Sequence, residues 1–128
     1  MQRPALESPS DRRSETNPCL GTAGKHIVAL RVSADDQHDY LFGLVHFIDG
    51  EHFANPEIES DKQAPPERLT LRFTTGEVIV LGRSLGRIVK SLQEGELFFI
   101  QPAERRYAEL QPTGVFISSI TVARKGIA

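Results

Sequence analysis

The chain of 128 residues has no tryptophan, one methionine, two tyrosines and one cysteine. The single thiol, Cys19, cannot build an internal disulfide framework, which fits a reducing compartment. No apolar run approaches the length of a membrane span, and Met1-Gln2-Arg3-Pro4 leads into polar residues rather than the apolar core of a secretory signal. A cytoplasmic protein without a membrane partner is expected. Charge of one sign is also scarce. The net charge is −2, which implies no global polyelectrolyte partner.

What is present is ordinary for a globular protein, with 39% hydrophobic and 25% charged residues, so a single domain with a core is expected. Residues 1–24 hold Pro4, Pro9 and Pro18 and show no apolar periodicity; they read as a disordered leader. Residues 25–124 read as one α+β domain, with order beginning near His26, and residues 125–128 as a C-terminal tail. Strands are expected at 27–32, 40–48, 69–74, 78–81, 97–100 and 115–122. The acidic, proline-containing stretch from Phe53 to Glu67 reads as a long, mobile loop. Pro102 opens a short helix carrying Tyr107 and Leu110, and Pro112-Thr113-Gly114 turns the chain. The expected architecture is a mostly antiparallel, strongly twisted or curled sheet of about six strands, in the order β-β-β-β-α-β-α-β, packed on one main helix.

The segment from Leu69 to Leu92 is the clearest. Leu69, Leu71 and Phe73 alternate with Thr70, Arg72 and Thr74, the period of a strand with one buried face. Thr75-Gly76 follows. Thr75 is β-branched and disfavours positive φ, which favours a three-residue loop with a left-handed Gly76 over a two-residue type I′ turn. Two registers stay open, one setting Val78 and Val80 beside Phe73 and Leu71, the other Ile79 and Leu81. Leu85, Ile88, Val89 and Leu92 then form a helical stripe, with Ser84 as the expected N-cap and Gly95 as the stop. Strands 78–81 and 97–100 look apolar on both faces, more than one helix covers. Curling of the sheet or a homodimer would cover the remainder.

Three clusters carry possible chemistry. His46, Asp49, Glu51 and His52, with His38 upstream, gather imidazoles and carboxylates at a strand end, and His46, Asp49 and His52 are the candidate metal ligands. Arg83, Arg87 and Lys90 recur at helical spacing, with Arg105 and Arg106 as candidate additions, together with Arg124 and Lys125, to a nucleic-acid or anion surface. Residues 67–128 hold nine Lys/Arg against six Asp/Glu, whereas residues 1–66 hold six against eleven. An acidic half and a basic half could also attract each other between copies. Third, Gly82-Arg83-Ser84-Leu85-Gly86 precedes a helix whose N-terminus could hold an anion, although it lacks the lysine of a phosphate loop. Ser84, Ser91, Ser118 and Ser119 read as lacking a nucleophile elbow. No catalytic residue or cofactor is assigned. The expected function is a non-catalytic protein-interaction or self-associating module. The alternatives are a nucleic-acid or anion-binding accessory protein, and a metal-dependent enzyme centred on His46 to His52.

Overall fold

The computed structural model describes residues 17–24, 27–35, 37–110 and 113–124. His26, Pro112, the leader up to residue 16 and the 125–128 tail lie outside the described residues. The described chain runs β1 (Leu20–Thr22), β2 (Ala29–Asp35), β3 (His38–Gly43), a 3-10 turn (Leu44–His46), β4 (Phe47–Ala54), a second 3-10 turn (Pro56–Glu59), β5 (Glu67–Phe73), β6 (Gly76–Arg83), α1 (Gly86–Gln93), β7 (Leu97–Ile100), α2 (Arg105–Leu110) and β8 (Phe116–Arg124). Among these residues no helix is long and apolar enough to cross a membrane.

The α+β content and the mainly antiparallel pairing agree with the sequence; the single curled sheet does not. There are two four-stranded sheets, β1-β7-β2-β3 and β4-β5-β6-β8. In the first, β2 and β7 run parallel, and the remaining pairs in both sheets are antiparallel. The expected strand 40–48 is two strands in different sheets. The 3-10 turn Leu44–His46 breaks it and hands the chain from β3 to β4. Alternation alone could not reveal this break, because residues on both sides of it read as extended.

The two sheets close over one core. Leu30, Val32 and Phe42 come from the first sheet, and Leu71, Phe73, Val78 and Val80 from the second. Phe42 and Phe73 stack across the interface, with ring centroids 4.6 Å apart. Face-to-face sheets bury both apolar surfaces at once, so the surplus inferred from sequence needs no second copy to cover most of it. Strand β6 is accordingly one-sided. Val78 and Val80 are buried, while Ile79 and Leu81 are half-buried on the outer face.

The hairpin register pairs Leu71 with Val78 and Leu69 with Val80. Phe73 pairs with Gly76, so Thr74 and Thr75 alone form the turn, and Gly76 has no positive φ. Gly76 is required for a different reason: a Cβ there would lie 2.8 Å from the Ala123 carbonyl of β8. Close approach between strands, rather than a left-handed turn, selects the glycine.

The expected boundary at residue 25 moves toward the N-terminus. Leu20–Thr22 is a strand on β7, and Cys19 is fully buried in the core. The Asn17 side chain donates to the Val115 carbonyl at 2.9 Å, and the Ile117 N–H donates to Cys19 Sγ at 3.3 Å. Burial pushes the Cys19 thiol up, against the opposing influence of the Ile117 N–H and Arg83. A three-residue strand has no periodicity to read, so composition alone assigned it to the leader. The 55–66 loop is also anchored. The buried Asn55 accepts from the Glu57 N–H, donates to the Pro65 carbonyl, and its own N–H donates to the Pro66 carbonyl.

Candidate functional site: an apolar cleft beside an open strand

Strand β4 is an edge of the second sheet, paired with β5 alone, and all eight of its residues are exposed. Its register places Asp49, Glu51 and Phe53 opposite Arg72, Thr70 and Arg68. Those residues share the outer face. Arg72 lies 2.9 Å from Asp49, 2.8 Å from Glu51 and 3.6 Å from Glu77, and the Arg68 guanidinium sits over the Phe53 ring. The carboxylates hold the Arg72 guanidinium above its already high ordinary pKa.

Gly50, His52 and Ala54 take the inner face, opposite Leu71, Leu69 and Glu67. A cleft of about 800 Å³ opens beside Gly50 and His52. Its floor is Leu69 and Leu71, its helical wall Val89 and Leu92 of α1, and its end wall Leu44 and Phe47. This explains why the apolar stripe of α1 is unevenly covered. Leu85 and Ile88 reach the core and are buried, whereas Val89 and Leu92 overlook the cleft and stay half-buried. Val28 and Val45 stand at the cleft 74% and 87% exposed.

One polar cluster anchors the cleft. Glu67, the first residue of β5, accepts from the Ser84 N–H at 2.8 Å and the Leu85 N–H at 2.9 Å. Its Oε1 also lies 2.7 Å from His52 Nε2. Burial raises the Glu67 pKa, but the His52 contact and the two backbone N–H groups outweigh it and leave the carboxyl below its usual range. An ionised carboxylate only accepts, so Nε2 carries the proton in this pair and Nδ1 is the acceptor of the neutral ring. Glu67 therefore holds the turn that leads into α1 from a neighbouring strand, and the expected Ser84 side-chain cap does not form. Ser84 itself holds φ 56°, a left-handed conformation rare for a residue with a Cβ.

This arrangement also corrects the reading of the serines. Gly82-Arg83-Ser84-Leu85-Gly86 does spell G-x-S-x-G between a strand and a helix, with its serine at positive φ. In a nucleophile elbow the N–H after the serine would face an oxyanion. Here the Leu85 N–H holds Glu67, and among the described residues no hydrogen bond joins the Ser84 hydroxyl to His52. The turn clamps a carboxylate belonging to the chain itself. Of the backbone N–H groups near this helix start, those of Ser84 and Leu85 are taken by Glu67.

The other sequence candidates disperse. Asp49 and His52 occupy opposite faces of β4, and His46 is exposed in the preceding 3-10 turn. Among the described residues no group of three His, Cys, Asp or Glu side chains is placed to hold a metal ion. Arg83 precedes α1 and turns toward α2 and β8, donating to the Ala108 carbonyl at 3.3 Å and lying over the Phe116 ring. Arg87 and Lys90 are exposed on α1, and Arg105 and Arg106 on α2. The expected Arg83/Arg87/Lys90 stripe is not a helical one, because Arg83 ends β6. What sequence reasoning missed is the Glu67–His52–α1 cluster. Its one local signal was the G-x-S-x-G turn.

No family model, curated protein or solved structure matches this chain.

Proposed function

We propose that this chain is a non-catalytic protein-interaction module that takes up an extended segment of its partner as an added strand on β4. The observation that carries this reading is the conjunction of an edge strand exposed along its length with an apolar cleft beside it. An unpaired edge offers a row of main-chain donors and acceptors, which supply affinity when a strand is added. Alternate side chains of that strand would point over the cleft, which supplies specificity. Soluble proteins usually blunt such an edge or cover it, and large exposed apolar side chains at its margin favour a partner. Self-association through β4 is the less favoured form. Antiparallel registers of two β4 strands centred on Gly50 or Glu51 set carboxylate against carboxylate, which is destabilising.

The test is selection of ten-residue segments from a random displayed library, followed by amide shift mapping on the labelled protein. Binders are expected to shift the amides of residues 47–54. Val45→Asp should weaken capture about tenfold, the cost of placing a charge at an apolar contact, while leaving the unfolding midpoint unchanged. Selected binders that all map to another face would replace this reading.

A further inference from the structure

We propose that the added segment alternates apolar and basic side chains, with lysine or arginine on the outer face and apolar residues over the cleft. This inference rests on the strand-addition reading and names the partner's chemistry. Residues directly opposite on neighbouring strands share a face and interact as pairs. A strand laid against β4 therefore meets Asp49 and Glu51 on the outer face and Gly50, His52 and Ala54 on the inner face.

On the outer face, Asp49, Glu51 and Glu77 surround the single guanidinium of Arg72. Three carboxylates against one cation leave a formal charge of −2 at the end of β4 where the strand begins. Arg68 is drawn to the other end, over Phe53. The segment following β4 adds exposed Glu57, Glu59 and Asp61 against Lys62. Basic side chains opposite Asp49 and Glu51 complete these pairs, and acidic ones would repel.

On the inner face the requirement reverses. Gly50 carries no side chain at the edge, and the cleft floor beside it, Leu69 and Leu71, is apolar and buried. The cleft lining contains no lysine or arginine, and the carboxylate of its one acidic residue, Glu51, turns to Arg72 on the outer face. An apolar side chain there gains contact without stranding a charge. His52 is already committed through Nε2 to Glu67, so it forms part of the wall and does not capture an anion.

Three ten-residue peptides with valine at every second position decide the matter, the alternate positions being lysine, glutamate or serine. Each is titrated into the labelled full chain at low ionic strength, with the amides of residues 47–54 as the readout. The lysine peptide is expected to shift these amides and to bind at least about tenfold more tightly than the glutamate peptide, with the gap narrowing as salt is added. The doubly neutralised Asp49→Asn, Glu51→Gln protein should reduce that gap to about threefold or less. Because the peptides are first ranked on the unaltered protein, the outcome does not depend on that variant. Equal or reversed affinities with shifts on β4 overturn the basic partner and leave strand addition standing. No shift on β4 with any of the three overturns both.

Discussion

The two edge strands of the second sheet differ in how their starts are covered. At β8 the strand start is sealed. Asn17 and Cys19 bond to Val115 and Ile117, α2 lies alongside with Tyr107 stacked on Phe116, and Ile117 is fully buried. At β4 nothing among the described residues pairs with the outer edge, and the helix facing the strand stands off across a cleft. Both margins contain the aromatic and branched residues from which covering layers are built. The open margin therefore does not reflect a chain too small to close its core. It reflects where covering residues were placed, and that placement leaves the β4 side available for another molecule.

The contrast can be broken most severely at Phe73. Its ring stacks on Phe42 in the sealed interior and meets Phe47 edge-on, 5.5 Å away, at the cleft. Phe73→Ala should cost about 3–5 kcal/mol in chemical denaturation and loosen both regions together. Persistence of the β4 amide positions after this change would show that the open margin is held independently of the core.

A smaller effect is expected at Glu67, which joins the cleft wall to α1. Glu67→Gln exchanges charge-assisted bonds for neutral ones and should cost about 1–3 kcal/mol near neutral pH. The sign with pH is fixed by the depressed carboxyl. Its contribution is fully present above the ordinary glutamate pKa of about 4.3 and disappears as pH falls through the lower folded value. Stability curves of the two proteins should therefore converge on acidification. A constant gap from pH 7 down to pH 2 would mean that the carboxylate charge plays no part in holding the helix.

The smallest effect sharpens the comparison by improving the turn that Glu67 clamps. Ser84→Gly relieves a left-handed conformation and should raise stability by about 0.5–1 kcal/mol. The Val45→Asp variant offers the complementary case, altering the open margin while leaving stability in place. A drop in stability with Ser84→Gly would show that the serine side chain supports the turn in a way its backbone angle does not reveal.

Much of the second sheet could be read in the residues themselves. Leu69, Leu71 and Phe73 face the core as their alternation demands, Leu85 does so just before α1 and Ile88 within it, and Gly95 follows that helix at φ 73°. These features depend on local spacing, which the sequence displays directly. The break at Leu44–His46 was hidden because a 3-10 turn of three residues leaves too little pattern to separate two extended stretches. The candidate site was hidden for another reason. His52, Glu67 and the Ser84–Leu85 turn lie on three elements, and the bonds joining them span 15 to 18 residues. No motif spacing links them, so only the register of β4 on β5 and β5 on β6 brings them into contact.

The early segment Asn17–Thr22 carries a consequence for the order of folding. Its bonds to Val115 and Ile117 close loops of 98 residues, and its strand partner β7 lies nearly as far along the chain. Contacts of such separation carry a large loop-closure cost before they return any stabilisation. During synthesis the residues around Cys19 must wait, with their thiol uncovered, until β8 has emerged. The β4–β5–β6 meander can pair long before then. The hairpins of the second sheet are therefore expected to form first and Cys19 to dock late, so the rate at which that thiol becomes inaccessible to a small alkylating reagent should lag behind the formation of the sheet.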